Sequence, residues 1–344
     1  MNMKRKNMNS RRRRRRRIRL IRRCVIVIAV MALIAVGCFI FLGQKEPAPL
    51  LHPYEAKAAV VEDPAAVINA DLPELFADGL CISVESDPLD ANVTSIVAAI
   101  YNRTTGETIY SENGMKHMSQ ASITKLMTFY VALQYGNLSD VITIQEEWLA
   151  NLDPQSSVCG IKAGDEITLE QLLYGLMIPS GNDAANAIAY YISGSEEAFV
   201  QLMNETAHSL GMTDSHFVNA HGLDDPDHYT SAYDIYLVFN RLLDSDFFRQ
   251  VIGTQDYSAT FSNNGLPVTK VWSRGIWYFN GGRTLPYYLT GIGGKTGTTD
   301  EALFCLTFAV EDVEGNEYIA VVLKSGTRER LYNNMDNLLS KIAN

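Results

Sequence analysis

The sequence contains little cysteine. It has five cysteines in 344 residues, and two of them, Cys24 and Cys38, lie in an apolar run near the N-terminus. The other three, Cys81, Cys159 and Cys305, are an odd number at unrelated spacings. A disulfide framework needs paired cysteines, so none is predicted. Cys159 and Cys305 fall in segments that are predicted to be packed, where a free cysteine behaves as a small apolar side chain.

Basic residues are scarce once the N-terminus is set aside, and no internal repeat is apparent. Thirteen of the 29 Lys and Arg residues lie in residues 1–23, which contain no acidic residue. Residues 24–344 therefore carry 16 basic and 39 acidic side chains, a formal charge of −23. Such an acidic body repels a phosphate backbone, so nucleic acid is not predicted as a partner.

The N-terminus has the features of a membrane anchor. Residues 24–42 form an uninterrupted apolar run of nineteen residues, which is long enough to span a bilayer. The basic tail over 1–23 predicts a cytoplasmic N-terminus and an exported remainder. Residues 43–90 are rich in Pro, Ala and acids and are predicted to be a linker or stalk. The sequence thus predicts a single-pass membrane protein with a wall-facing body.

A cleaved signal peptide and a lipoprotein are the alternatives to an uncleaved anchor. No clear small-x-small cleavage site follows the apolar run. Cys38 follows a loose lipobox, Ala35-Val36-Gly37, but the four residues after it are apolar, whereas a processed lipoprotein usually begins with polar residues. An uncleaved signal-anchor is therefore favoured.

Ser122 and Lys125 are candidates for a nucleophile and its base. Residues 121–134 carry apolar side chains at helical spacing, which predicts a helix. Residues i and i+3 share a helix face, so Lys125 would lie beside the Ser122 hydroxyl. Lysine can take the serine proton only if its pKa is lowered by burial or by a second cation, for which Lys295 is the candidate. In isolation the same tetrapeptide more often places a solvated lysine after a helix-start serine.

Two further motifs follow in order. Ser180-Gly181-Asn182 is predicted on a tight turn between helices, because Thr168 and Gln171 form a capping-box pattern and Pro179 ends the first helix. Taken alone, this motif reads as an ordinary polar turn. Lys295-Thr296-Gly297 is the third motif. The ordered trio is typical of penicillin-binding proteins and serine β-lactamases.

The wider context resembles the low-molecular-mass penicillin-binding proteins, which are the serine D-alanyl-D-alanine carboxypeptidases of peptidase family S11. The resemblance covers roughly residues 90–340 and rests on residues 120–128, 172–187, 211–234 and 293–299. Two features depart from the family pattern. Gln120 stands where a proline often precedes the nucleophile, and residues 271–283 are aromatic where the family usually has an Asn-rich segment.

The resemblance implies acyl transfer at Ser122. Ser122 would attack the penultimate D-alanine of a peptidoglycan stem peptide, with Lys125 as the base. Ser180 would relay a proton between Lys125 and the leaving amine. The backbone N–H groups of Ser122 and Thr298 would form the oxyanion hole that acyl transfer requires. β-Lactam antibiotics would be covalent inhibitors, and no cofactor is implied.

The resemblance also implies a binding site for the substrate's free carboxylate. Asn182 would hold the substrate backbone. Lys295 and Thr296 would receive the carboxylate, since a cation beside a hydroxyl suits that group. Arg330, at the start of the C-terminal helix, would assist them.

A loop rich in histidine and aspartate offers a competing metal site. Its members are His216, His221, His228, Asp214, Asp224, Asp225 and Asp227. Their spacing matches no helical His-x-x-x-His pair, and the Gly and Pro content predicts a loop bordering the cleft, so no metal is predicted. Ser231 with Asp234 is predicted to cap a helix. The aromatic segment 271–283 is predicted to be core rather than a lip of the cleft.

The coarse element pattern predicts an α/β fold. Strands over 93–101, around 109, over 303–310 and over 318–323 flank a helical middle at 122–241, and a helix over 329–342 follows. This order predicts an antiparallel sheet built from both ends of the domain, with flanking helices and a helical subdomain. It agrees with the β-lactamase/transpeptidase fold that the resemblance implies, with residues 91–344 as the catalytic domain.

Three function classes are compatible with the motifs. The favoured one is a membrane-anchored D,D-carboxypeptidase of the bacterial envelope. A serine β-lactamase needs fast deacylation, for which class A enzymes use a Glu in the loop after the second motif, and residues 219–234 contain none. An inactive penicillin-binding scaffold is disfavoured because the motif residues are all present. A D,D-endopeptidase activity and the physiological role are left open.

Overall fold

The computed structural model describes residues 80–343. Its strands are β1 (Val97–Asn102), β2 (Glu107–Glu112), β3 (Val141–Thr143), β4 (Asp165–Thr168), β5 (Asp256–Asn263), β6 (Leu266–Ser273), β7 (Leu289–Thr299), β8 (Leu303–Asp312) and β9 (Glu317–Ser325). Its α-helices are α1 (Lys125–Tyr135), α2 (Leu169–Met177), α3 (Asn182–Ser193), α4 (Glu196–Ser209), α5 (Ala232–Leu242), α6 (Asp246–Gly253), α7 (Trp277–Asn280) and α8 (Arg328–Ser340). Short 3₁₀ turns occur at Ala121–Thr124, Glu147–Leu149 and Lys341–Ala343.

The predicted tail, membrane span and most of the stalk lie outside the described residues. Within residues 80–343, no helix is long and apolar enough to cross a membrane. The described end of the predicted stalk packs on the body. Cys81 is fully buried, and the Ser86 N–H donates to the Ser111 carbonyl on β2.

A five-stranded antiparallel sheet is built from both ends of the domain, in the order β2-β1-β9-β8-β7. This confirms the mixed α/β prediction. The central strands are rich in β-branched and small apolar residues and are buried on both faces. Alternate residues of a strand point to opposite faces. In β1, Val97 and Ala99 therefore join the core under the helical layer, whereas Ala98 and Ile100 join the core under α8.

A second sheet has four strands in the order β3-β4-β5-β6, and its strands β3 and β4 lie within residues 122–241, which were predicted to be mostly helical. The sequence analysis did not identify β5 and β6. Only Ala259, Phe261 and Trp272 of the pair are buried, and β6 leaves Leu266 and Val271 exposed to solvent. Apolar residues that do not alternate with polar ones give a weak strand signal, so tertiary packing decides the structure of this pair.

The aromatic segment was predicted to be core, and of its aromatic side chains Trp272 is buried while Trp277, Tyr278 and Phe279 are half-buried against the core. Trp272 is buried, and its indole N–H donates to the Cys159 carbonyl at 2.9 Å. Trp277 stacks on Tyr332 of α8 with ring centroids 4.6 Å apart. The Tyr278 hydroxyl donates to the Asp336 carboxylate at 2.5 Å. The segment therefore joins β6 and α7 to the C-terminal helix, and none of its aromatic side chains lines the cleft formed by the described residues.

Candidate active site

The nucleophile turn is a 3₁₀ turn that leads directly into α1. Ser122 lies in this turn and Lys125 is the first residue of the α-helix, so the predicted single helix has a tighter first turn. Side chains three residues apart eclipse each other in a 3₁₀ turn, which brings the two together. Ala121, just before Ser122, has φ of 49°, a left-handed conformation that costs energy for a residue with a Cβ.

Two glycines let neighbouring backbone reach this turn. A Cβ on Gly222 would lie 2.0 Å from the Ala121 carbonyl oxygen. A Cβ on Gly297 of β7 would lie 2.7 Å from the Gln120 carbonyl oxygen and 3.1 Å from the Ser122 nitrogen. The third sequence motif thus runs directly against the nucleophile turn, and any larger residue would separate them.

Lys125 is fully buried and points at the nucleophile. Its Nζ lies 2.9 Å from Ser122 Oγ, 2.7 Å from Asn182 Oδ1 and 2.7 Å from the His221 carbonyl oxygen. Burial lowers its pKa to about 7, although the Asp183 carboxylate opposes the shift. An amine with such a pKa is partly neutral near pH 7 and can accept the serine proton.

The second motif lies on the predicted inter-helix turn, between α2 and α3. The Thr168–Gln171 capping box opens α2, as predicted, and the helix ends at Met177, before Pro179. Ser180 has φ of 64°, so strained backbone presents its side chain. Asp183, just after the motif, links it to the preceding loop, because its carboxylate accepts the N–H groups of Cys159 and Gly160 at 2.8 and 2.7 Å.

Lys295 on β7 is the second buried amine of the site. It donates to Ser180 Oγ at 2.9 Å and to the Thr296 carbonyl oxygen at 2.8 Å. Burial lowers its pKa well below the usual value, and the cations of Lys125 and Arg274 lower it further. For Lys125, by contrast, burial is the main cause of the lowered pKa rather than the predicted second cation.

Arg274 is a site-bordering residue that the sequence analysis missed. Its buried guanidinium donates to the carbonyl oxygens of Thr254, Val251 and Gly294 at 2.9, 2.7 and 2.9 Å. Burial lowers its pKa to about 10. Gly294 directly precedes Lys295, so Arg274 fixes the backbone of β7 and adds a positive charge beside the amine. No local signal distinguishes this arginine from a surface one.

The three motifs meet at a cleft of about 460 Å³. Its lining includes Ser122, Asn182, Thr298 and Thr299, with Asp153 and Asp300 at its edge. Ser122 and Thr298, predicted to supply the oxyanion-hole N–H groups, therefore face the same space. β7 and the nucleophile turn are in contact at Gly297, so the two residues predicted to form the oxyanion hole lie on adjoining segments.

Two predicted carboxylate-binding residues have different positions. Thr296 lies between Lys295 and Gly297 on β7, and its carbonyl accepts a hydrogen bond from the Lys295 amine. Arg330 is exposed in the first turn of α8, where Thr327 caps the helix by accepting the Arg330 backbone N–H at 3.1 Å. Lys295, Thr296 and Arg330 are not among the residues that line the described cleft, and their role in carboxylate binding stays a prediction.

The three histidines of the loop differ in burial, because His216 is exposed, His221 is half-buried and His228 is buried. Across residues 80–343, no group of three or more His, Cys, Asp or Glu side chains is placed to hold a metal ion. The His216 Nδ1 lies 2.6 Å from the Asp227 carbonyl oxygen, and His228 is buried against the nucleophile turn. Ser231 caps α5 by accepting the Asp234 N–H, as predicted.

Comparison with known proteins gives concordant results. Residues 83–327 match the peptidase S11 family, described as D-alanyl-D-alanine carboxypeptidase. The chain is 35% identical over 237 residues to D-alanyl-D-alanine carboxypeptidase DacF of Bacillus subtilis (strain 168), a match that covers 67% of this chain and 57% of that relative. It is 34% identical over 256 residues to a D-alanyl-D-alanine carboxypeptidase of Streptomyces sp. (strain K15), covering 69% of this chain and 84% of the relative.

The solved structures show the same likeness. The Streptomyces K15 DD-transpeptidase superposes with a TM-score of 0.66 at 28% identity, covering 75% of this chain and 98% of that one. Penicillin-binding protein 5 from Haemophilus influenzae superposes with a TM-score of 0.64 at 25% identity, covering 74% and 72%. The chain thus covers nearly all of the first structure, whereas it spans a little over half of DacF.

Proposed function

The chain belongs to peptidase family S11, the D-alanyl-D-alanine carboxypeptidases, and on that premise we propose that it removes the terminal D-alanine from peptidoglycan pentapeptide stems. The observation that carries the proposal is the Ser122–Lys125 pair. The amine lies 2.9 Å from the hydroxyl, and burial brings its pKa to about 7. This is the geometry and the pKa that an activated serine needs.

In the acylation step, Ser122 Oγ attacks the carbonyl carbon of the penultimate D-alanine and its proton passes to Lys125. The backbone N–H groups of Ser122 and Thr298 stabilise the oxyanion. When the C–N bond breaks, the leaving D-alanine nitrogen takes a proton. Ser180 is the relay for that proton, and its hydroxyl is hydrogen-bonded to Lys295. Water then hydrolyses the ester and restores Ser122.

The terminal carboxylate of the substrate binds at Lys295 and Thr296, assisted by Arg330. Lys295 is buried beside two other cations, which disfavours its charged form. An incoming carboxylate supplies the missing negative charge and raises the pKa of the amine, so binding and protonation of Lys295 are coupled. Asn182, whose Oδ1 accepts from Lys125, keeps its amide nitrogen for the substrate backbone.

The proposed inhibitors follow from the active site, and the proposed location follows from the N-terminal sequence. A β-lactam presents an acyl group and a carboxylate in the same relation, so it acylates Ser122 and blocks it. The basic tail over 1–23 and the apolar run over 24–42 support a single-pass protein of the bacterial cell membrane, with its catalytic domain facing the wall. That location gives the enzyme access to its substrate.

The test incubates the full-length protein with a fluorescent penicillin and, separately, with a peptide ending in D-Ala-D-Ala. Stable labelling and D-alanine release, both lost in Ser122→Ala, support the proposal. Rapid penicillin turnover without D-alanine release identifies a β-lactamase, and no reaction with either probe identifies a scaffold. Release of cross-linked partners rather than D-alanine identifies an endopeptidase. D-alanine release that survives Ser122→Ala and is abolished by a chelator refutes the serine mechanism.

A further inference from the structure

The backbone just before the nucleophile needs an external support. Ala121 has φ of 49°, and this conformation determines where the next peptide N–H, that of Ser122, points. The Ala121 carbonyl oxygen, part of that same peptide unit, accepts the Thr124 hydroxyl at 2.8 Å. Whatever orients the Thr124 hydroxyl therefore also orients one donor of the proposed oxyanion hole.

His228 contacts the Thr124 hydroxyl from the opposite side. Its side chain is only 2% exposed. The His228 Nδ1 accepts the Val218 backbone N–H at 3.1 Å, so in the neutral ring the proton is on Nε2. Nε2 lies 2.7 Å from Thr124 Oγ1 and donates to it, while the Gln120 amide lies further from the same nitrogen, at 3.4 Å.

Each hydrogen bond from His228 through Thr124 to the Ala121 carbonyl has only one possible donor. A hydroxyl has one proton to donate. Because His228 Nε2–H donates to Thr124 Oγ1, the Thr124 proton is left for the Ala121 carbonyl oxygen. Both nitrogens of His228 have protein partners, which leaves neither for a metal ion. The histidine is also held rigidly, since the Val218 N–H belongs to the loop that carries Gly222 against the same carbonyl.

We propose that His228 is a positioning residue for acyl transfer: through Thr124 it holds the Ala121–Ser122 peptide in the orientation that presents the Ser122 N–H to the oxyanion. The inference rests on the proposed acyl transfer at Ser122. It gives the buried histidine of the loop a role distinct from packing, because the role depends on one hydrogen bond donor at Nε2.

Two amide variants distinguish the two hydrogen bonds that the His228 ring makes. In His228→Gln the longer side chain places its amide near the Nε2 position, where it can donate to Thr124. In His228→Asn the shorter side chain places its amide near the Nδ1 position, where it can accept from Val218 but cannot reach Thr124. The matched control is His208→Asn, an exposed histidine in the last turn of α4.

The experiment follows acylation of the full-length protein by a fluorescent penicillin, as the rate constant at saturation and the half-saturating concentration, together with the melting temperature. His228→Asn and Thr124→Val are expected to lower the rate constant by about 10- to 100-fold, with the half-saturating concentration little changed, because the reacting groups are misaligned. His228→Gln and Thr124→Ser retain most of the rate, and His208→Asn retains all of it. The double variant His228→Asn/Thr124→Val is no slower than either single variant.

Two results would contradict a positioning role for His228. Equal losses in His228→Gln and His228→Asn, or losses that follow the melting temperature while the folded fraction reacts normally, overturn the positioning role. Failure of the proposed function shows elsewhere, as wild-type protein that is labelled by penicillin but releases no D-alanine. In that case the acylation series still tests His228.

Discussion

Placing a carboxylate next to Lys125 should move the pH dependence of acylation. Asn182→Asp is nearly isosteric, and the replaced Oδ1 lies 2.7 Å from Lys125 Nζ. An opposite charge at such a distance raises the pKa of a buried amine by about 1–3 units. The pKa of Lys125, about 7 in the wild type, would then lie at roughly 8–10. At pH 7 less of the amine is neutral, so the acylation rate falls by about 5- to 500-fold.

The direction in which the midpoint of the pH–rate profile moves distinguishes a change in the Lys125 pKa from a general loss of activity. The wild-type rate should rise about tenfold per pH unit below pH 7 and then level off, because the neutral amine is the base. Asn182→Asp should reach its plateau at higher pH. The matched variant Asn182→Leu removes the same acceptor without adding charge, so its rate drops but its midpoint does not move upward. Stopped-flow penicillin acylation between pH 5 and 10 measures all three profiles, and equal midpoints for the two variants would refute Lys125 as the base.

Three further predictions follow from other buried groups. Arg274→Met leaves three backbone carbonyls without donors and should lower the free energy of unfolding by at least about 3 kcal/mol. Denaturant titration measures this change, and an unchanged midpoint would show that these hydrogen bonds do not stabilise the fold. Gly297→Ala pushes β7 off the nucleophile turn and should slow penicillin acylation about 100-fold, whereas a normal rate would show that the contact is not needed. Burial raises the pKa of Asp234 to about 6, so its neutral form is favoured in the fold and its contribution to stability is lost as pH rises from about 4 to 6. Asp234→Asn should therefore gain stability relative to the wild type across that range, and parallel pH profiles would exclude this.

Local patterns predicted the parts of the site that depend on neighbouring residues. The Ser122–Lys125 pairing follows from a three-residue spacing, which both a 3₁₀ turn and an α-helix convert into contact. The Thr168–Gln171 capping box and the Ser231 cap were also readable, because a cap joins side chain and backbone three residues apart. The central strands were predicted since their burial leaves long β-branched apolar runs.

The parts of the fold and the site that depend on contacts between distant segments could not be predicted from local sequence patterns. β7 carries four glycines among its 11 residues, which lowers strand propensity, and the sequence predicted no strand there. Gly297 is needed where β7 approaches the nucleophile turn, and Gly293 and Gly294 are needed where it lies against the backbone of Ile252 and Thr307, so close packing lowers the strand signal. Arg274 and His228 act through backbone groups of other segments, and neither partner can be identified until the chain is folded.

The charges at the site explain why an acidic domain would keep such a cationic centre. Lys125, Lys295 and Arg274 are all buried, and within residues 80–343 none of them forms an ion pair with a carboxylate. Burying an unpaired cation is costly, and the lowered pKa values of the two amines show how that cost is reduced. On the proposed function, one amine would be neutral and serve as the base, while the other would gain its charge when a carboxylate arrives. The same desolvation that would activate Ser122 would thus favour a substrate that ends in a free carboxylate.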